Sequence, residues 1–371
     1  MLLRGVLLGL SICSLACGAD PDDGTGMRSP APGSDCASDA DCRSGEICDA
    51  TGHCVDDPNG GGDTCPAVAV ALTPVTPVVE LLIDQSGSMN DPFGQIDGTD
   101  VDRWEAAQYA LTDPGVGAVT ALEDRVRFGA ALYHSEHGNA GGTCPMLARS
   151  AGKPTGVPLL HNAAAIGDLF DDNDPTLDTP TAESVDAVRA DLVTYGADAD
   201  SRAPLVLVLV TDGNPDNCGD ADAHNMASQI MSENAVARAW DDGIRTIPLS
   251  VGSDVSDTHM QRLANQGAGL ALDASPGAAW YRGNDPQELV DAFNEIIRGV
   301  RTCTFTLNGM AELADAADAT VTLNGSSLAF GTDWTLLDPS TLELMGAACD
   351  TFLASDTVTL DAIFPCGTII E

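Results

Sequence analysis

Lysine is nearly missing from this chain. Of its 16 basic residues only Lys153 is a lysine and 15 are arginines, set against 44 aspartates and 12 glutamates for a formal net charge of −40. Such a chain repels phosphate backbones and anionic lipid headgroups, which excludes nucleic acid as a partner and leaves cations as the natural counterpart. Over most of the surface this charge serves solubility. Aromatic residues are also scarce, at 4%, so Ala, Val, Leu and Ile must fill the core. No segment after the N-terminal stretch offers the ~18 uninterrupted apolar residues of a membrane-spanning helix. Gly-x-x-x-x-Gly-Lys-Ser/Thr, His-Glu-x-x-His and Gly-x-Ser-x-Gly are all absent, so the sequence offers no phosphate-binding loop, helical zinc-protease pair or nucleophile elbow.

Cysteine, in contrast, is plentiful. Twelve in 371 residues are too many for an ordinary reduced cytosolic protein. Arg4 and the apolar residues 5–12 are too short a stretch to span a bilayer and have the form of an export signal over residues 1–16. Ser14-Leu15-Ala16-Cys17 resembles a bacterial lipobox, with Ser14 where Leu is usual. It points to a lipid on Cys17, with cleavage near Ala16 or Ala19 and free secretion as the alternative. Residues 17–34, rich in Gly, Pro, Ser and Asp, form a tether. Cys36, Cys42, Cys48 and Cys54 then recur every six residues. A module as small as 35–56 needs covalent staples, so we expect two disulfides, with three pairings open. A zinc knuckle is the rival, and the segment has no Cys-x-x-Cys to favour it. Residues 57–66 are a linker.

From 67 to 300 strand-like and helix-like patterns alternate. Residues 77–83 run apolar up to Asp84 and suit a central parallel strand, as do 204–210. Further strands are expected at 125–133 and 244–251. Helices are expected from Asp102, over 182–195, 221–240 and 258–265, and over 286–300, where Leu289, Phe293, Ile296 and Val300 make one stripe. Residues 134–160 are expected as a loop. The alternation predicts an α/β fold, a doubly wound, mostly parallel sheet covered by helices on both faces. Residues 301–371 change texture to short strand-like runs separated by turns such as Asn324-Gly325, and predict a small β-rich domain.

Doubly wound sheets bind ligands beyond the carboxyl ends of their strands. Three loops bring oxygen donors to that edge: Asp84-Gln85-Ser86-Gly87-Ser88, Thr179 just before the helix at 182, and Thr211-Asp212-Gly213. Singly, each is an ordinary cap or turn. Together they offer carboxylates and hydroxyls without nitrogen or sulfur, a set for a hard divalent cation, Mg²⁺ first, then Mn²⁺ or Ca²⁺. Asp84-x-Ser86-x-Ser88, Thr179-Pro180 and Thr211-Asp212-Gly213 resemble the metal-ion-dependent adhesion site (MIDAS) of the von Willebrand factor type A family. Order and spacing match over about 230 residues, with Asp178 standing where that family often has Gly. The resemblance implies Ser86, Ser88 and Thr179 as direct ligands. It also implies Asp84 and Asp212 as ligands direct or through water, and one coordination position left for an acidic side chain of a partner. Other clusters are weaker. His134 and His137, with Cys144 nearby, lack a third zinc ligand and are expected as a solvated pair. Asp97, Asp100 and Asp102, and the acidic run 171–174, lack the glycine and terminal glutamate of an EF-hand loop.

Within that resemblance the ends of the α/β domain lie close together, which suggests Cys65–Cys303 as a clasp, Cys144–Cys218 at the rim of the site and Cys349–Cys366 as a C-terminal staple. The resulting expectation is an exported surface protein, outer-membrane lipoprotein or extracellular. It is a binding module rather than an enzyme, and it engages a protein or other macromolecule through the cation. Its only membrane contact is a lipid on Cys17, and its oligomeric state is open. The alternatives are a metal-dependent hydrolase and a structural envelope protein with a degenerate site.

Overall fold

The computed structural model describes residues 36, 42, 46–49, 51–56, 68–136, 142–150, 158–198, 203–220, 223–354, 358–365 and 369–370. The expected export signal, Cys17, the tether, the linker, His137, Cys65 and Cys366 lie outside these residues. The chain divides into two compact units, residues 1–66 and 67–371. In the first, β1 (Glu46–Cys48) and β2 (Cys54–Asp56) form an antiparallel hairpin. Its turn is organised by the Asp49 carboxylate, which accepts from the backbone N–H groups of Thr51 and His53. Cysteine sulfurs meet at bonding distance in the pairs Cys36–Cys48 and Cys42–Cys54.

The second unit holds a six-stranded sheet. Its strands are β5 (Val78–Asp84), β8 (Arg127–His134), β9 (Met146–Arg149), β10 (Leu205–Thr211), β11 (Ile244–Val251) and β12 (Tyr281–Gly283), in the order β12-β11-β10-β5-β8-β9. All pairings are parallel except that of β9, which returns antiparallel along β8 inside the stretch expected as loop. β5 is buried along its whole length, as a strand covered on both faces must be. Val79, Leu81 and Ile83 point to a core shared with α1 (Arg103–Thr112), α2 (Ala118–Leu122), α3 (Ala163–Asp171) and α7 (Pro286–Gly299). Val78 and Leu82 point to the other core, under α4 (Thr181–Asp198), α5 (Met226–Asp241) and α6 (Asp257–Gly267). The doubly wound, mostly parallel arrangement is therefore present. A hairpin of β6 (Pro92–Ile96) and β7 (Thr99–Asp102) precedes α1, turning through Asp97 and Gly98 with φ of 51° and 80°. This is a turn geometry that favours just such Asp-Gly pairs.

β3 (Val68–Val70) and β4 (Leu72–Pro74), expected as the head of the α/β unit, instead belong to the C-terminal sheets. One sheet orders β17 (Trp334–Asp338), β18 (Thr341–Leu344), β13 (Thr304–Leu307) and β4. The other orders β16 (Ser326–Leu328), β15 (Thr320–Leu323), β19 (Leu360–Phe364) and β3. A short pair, β14 (Met310–Ala311) and β20 (Ile369–Ile370), stands beside them. Their shared core is built around Trp334, Phe305 and Phe364. The α/β unit is thus an insertion between β4 and β13, closed where the Val75 N–H donates to the Thr304 carbonyl at 2.9 Å.

Two expected disulfides are overturned here. Cys303 bonds Cys349, not Cys65, and Cys349 is therefore not available to Cys366. Local pairing explains this. The Leu344 N–H donates to the Cys303 carbonyl, so the start of β13 sits at the end of β18, and the helix that follows, α8 (Gly346–Ala354), returns Cys349 over it. Among the described residues no helix is long and apolar enough to cross a membrane.

Candidate metal centre

The chain leaves β5 for β8 on one side and later adds β10 on the other. The switch point of the sheet therefore lies at the carboxyl ends of β5 and β10, where a crevice opens. Asp84 is the last residue of β5, opposite Tyr133 of β8, and Asp212 directly follows β10. After Asp84 the chain turns at once. The Ser86 N–H donates to Asp84 Oδ1 at 2.8 Å, and a short 3₁₀ turn, Gly87–Asn90, carries Ser88. This Asx-type bond brings alternate side chains to one side. The Ser86 and Ser88 hydroxyl oxygens lie 3.1 Å apart, and Ser88 Oγ donates to Asp212 Oδ1 at 2.8 Å.

Thr179 sits just before α4, on a loop sewn to both others. The Gly87 N–H donates to the Leu177 carbonyl at 3.1 Å, and the Asp216 N–H donates to the Thr179 carbonyl at 2.9 Å. The Thr179 N–H in turn donates to Asp216 Oδ2. Asp178 accepts from the Ser135 hydroxyl at 3.1 Å, which anchors this loop to the end of β8. All five expected residues therefore lie on three loops bound to one another at one sheet edge. Asp84, Ser86, Thr179 and Asp212 are buried, while Ser88 is half-buried and Gly87 exposed, so the cluster opens on the Gly87–Ser88 side.

The two carboxylates differ in their surroundings. Asp84 Oδ2 accepts from the Thr211 hydroxyl at 2.8 Å and, more distantly, from the Tyr133 hydroxyl at 3.4 Å, which also meets Thr181 Oγ1. Its donors are all neutral. Burial, and after it the charge of Asp212, pushes Asp84 up to about 7. Burial also raises Asp212 above the usual carboxylate range, against the pull of Arg103. Arg103, the first residue of α1, donates through Nη1 to Asp212 Oδ2 at 2.7 Å. Nothing in the motif spacing pointed to Arg103. The available signal was an arginine directly after the Asp102 helix cap, where the helix dipole disfavours a cation.

The other clusters resolve simply. Cys144 bonds Cys218, so it offers no zinc ligand, and His134 ends β8 half-buried instead of lying in a solvated loop. Asp97, Asp100 and Asp102 belong to the β6–β7 hairpin. Asp102 caps α1, accepting from the Glu105 N–H. The Cys144–Cys218 bond ties the loop after Asp212 to the chain entering β9 across 74 residues. Replacing both cysteines by serine is expected to lower unfolding free energy by about 4 kcal/mol on the loop-closure model, measured by urea titration.

No family model and no curated protein matches the chain. Solved structures similar to it at low identity include the following three. One is proximal thread matrix protein 1 from the mussel byssus with a zinc-occupied MIDAS motif, at 14% identity over 62% of this chain and 49% of that one, TM-score 0.39. Another is the pilus adhesin SpaC of Lactobacillus rhamnosus GG, at 17% identity over 78% and 39%, TM-score 0.43. The third is the manganese-loaded TRAP protein of Plasmodium vivax, at 12% identity over 80% and 97%, TM-score 0.40. The chain spans half or less of the first two.

Proposed function

We propose that this chain is an exported binding module. In this reading Ser86, Ser88 and Thr179, with Asp84 and Asp212, hold a divalent cation, Mg²⁺ first, and the cation engages an acidic side chain of a macromolecular partner. The observation that carries the reading is the Ser86–Ser88 hydroxyl pair, 3.1 Å apart beside two buried carboxylates. Adjacent ligands of an octahedral ion with bonds of 2.0–2.1 Å lie about 2.9 Å apart, so this pair has the spacing of one edge. The all-oxygen donor set suits a hard cation. Burial raises the proton affinity of both carboxylates, and for Asp84 the charge of Asp212 adds to it; a cation relieves the cost of holding them charged out of water. When bound, the ion supplies a Lewis-acidic position for an outside carboxylate.

The chain's own residues do the rest. Ser88 donates its hydroxyl proton to Asp212 Oδ1, which leaves its oxygen lone pairs for the ion. Thr211 and Tyr133 hold the Asp84 carboxylate in place. The Leu177–Gly87 bond sets the Thr179 loop against the serine loop. The composition of residues 1–16 and Ala16-Cys17 supports export with a lipid on Cys17. Calorimetric titration of the full chain with MgCl₂ tests the proposal. Saturable heat is expected, abolished by chelator, and a glutamate-bearing peptide should bind only in the presence of the ion. A flat Mg²⁺ titration, with Mn²⁺ and Ca²⁺ equally flat, overturns it.

A further inference from the structure

Arg103 is a costly residue in its position. It occupies the first turn of α1, where the helix dipole opposes a positive charge, and its side chain is only 10% exposed. A buried guanidinium persists when carboxylates surround it, and here there are three. Nη1 donates to Asp212 Oδ2 at 2.7 Å and lies 3.6 Å from Asp91 Oδ2, while Nη2 is bonded to Asp254. Gly252, in the left-handed region at φ +83°, passes beside the guanidinium. Asp91 and Asp254 are largely exposed, whereas Asp212 is fully buried. The buried partner gains most from the pairing, because burial strengthens Coulomb interaction. Both Asp212 oxygens are thereby engaged, Oδ1 by Ser88 and Oδ2 by Arg103. Asp84, the other carboxylate, has no such cation.

We infer that Arg103 is a built-in counter-charge that weakens the hold of the site on its divalent ion and in return leaves the ion hungrier for an outside carboxylate. The inference rests on the metal-site reading above. An ion entering beside Asp84 meets one carboxylate held only by neutral donors and a second already paired with Arg103. Less of the ion's positive charge is then spent inside the protein, and more remains at the open position. The guanidinium also keeps Asp212 paired when no ion is bound, so that the edge stays assembled between binding events.

The test is titration of full-length wild type, Arg103→Gln and Arg103→Lys with MnCl₂, read by calorimetry and by loss of the free-Mn²⁺ electron paramagnetic resonance signal. Arg103→Gln is expected to bind Mn²⁺ at least ~10-fold more tightly, and its Mn²⁺-loaded form to bind a glutamate-bearing peptide more weakly. Arg103→Lys, which keeps the charge, should stay near wild type. A purely structural arginine would give the opposite sign, weaker Mn²⁺ binding on removal. Equal or weaker binding by Arg103→Gln overturns the inference, as does a lysine variant as tight as the glutamine one. Should Arg103→Gln unfold without ion, rescue of its circular dichroism by Mn²⁺ below the wild-type half-saturation point carries the expected sign, and no rescue overturns it. If wild type takes up no Mn²⁺, the metal-site reading itself falls. If wild type binds and the variant binds no tighter, only the role of Arg103 falls.

Discussion

Asp84→Ala is expected to abolish measurable Mg²⁺ binding, a loss of more than ~100-fold, exceeding what outer-shell substitutions cost in metal sites. Asp84 is the one carboxylate of the pair with no protein cation. Its Oδ1 also fixes the turn that presents Ser86, through the Ser86 N–H. Removing it takes away the charge and loosens the hydroxyl pair at once. The fold should survive, because Asp84 sits at the end of β5 and the strand pairings up to Ile83–Val210 and Ile83–Leu132 do not depend on its side chain. Calorimetry reads the binding and thermal unfolding in chelator reads the fold. A variant that keeps its Mg²⁺ heat would show that the cation, if held, is held elsewhere.

Cation affinity should also fall steeply in acid. Asp84 is raised from 3.8 to about 7 by burial and then by Asp212, and a metal ligand must lose its proton before it binds. Affinity is therefore expected near its plateau above pH 8, to fall roughly tenfold per unit below 7, and to be ~100-fold weaker at pH 5. The stability of the ion-free protein has the opposite trend. Between 3.8 and 7 the folded state holds a proton at Asp84 that the unfolded chain has released, so unfolding free energy falls as pH rises through that window. Added Mg²⁺ should recover the loss most at the alkaline end. Titrations at half-unit steps from pH 5 to 8, paired with urea midpoints in chelator, check both signs. A pH-independent affinity would contradict the placement of Asp84 in the site.

The sheet and the site loops were legible because they are local and patterned. The apolar runs ending at Asp84 and before Asp212 have the form of buried strands, and their ends placed two of the three oxygen-bearing loops on one edge, the Thr179 loop following from the resemblance. What escaped was set by distant partners. β9 is four half-buried residues, Met146–Arg149, without alternation of their own, and exists only because the β8 edge accepts it. α3 opens after Asn162 with no side-chain cap bond and carries Gly167, so its local signals are weak. β3 and β4 look like any strands near residue 70, and their sheet partners lie beyond residue 300. Pairing of Cys303 with Cys349 depends on that same register. Arg103 was invisible because its meaning lies in Asp212, 109 residues away.

The insertion of the α/β unit between β4 and β13 has a consequence for the order of folding. As the chain is made, β3 and β4 emerge first yet wait for partners on the far side of the unit, and the closure at Val75–Thr302 spans 227 residues. Joining the ends of an unstructured loop of that length costs roughly 5 kcal/mol of chain entropy. A finished α/β unit delivers its two ends side by side and removes that cost in advance. The β-rich part is therefore expected to close last, and a nascent chain stalled before residue 300 would leave β3 and β4 without their sheet partners.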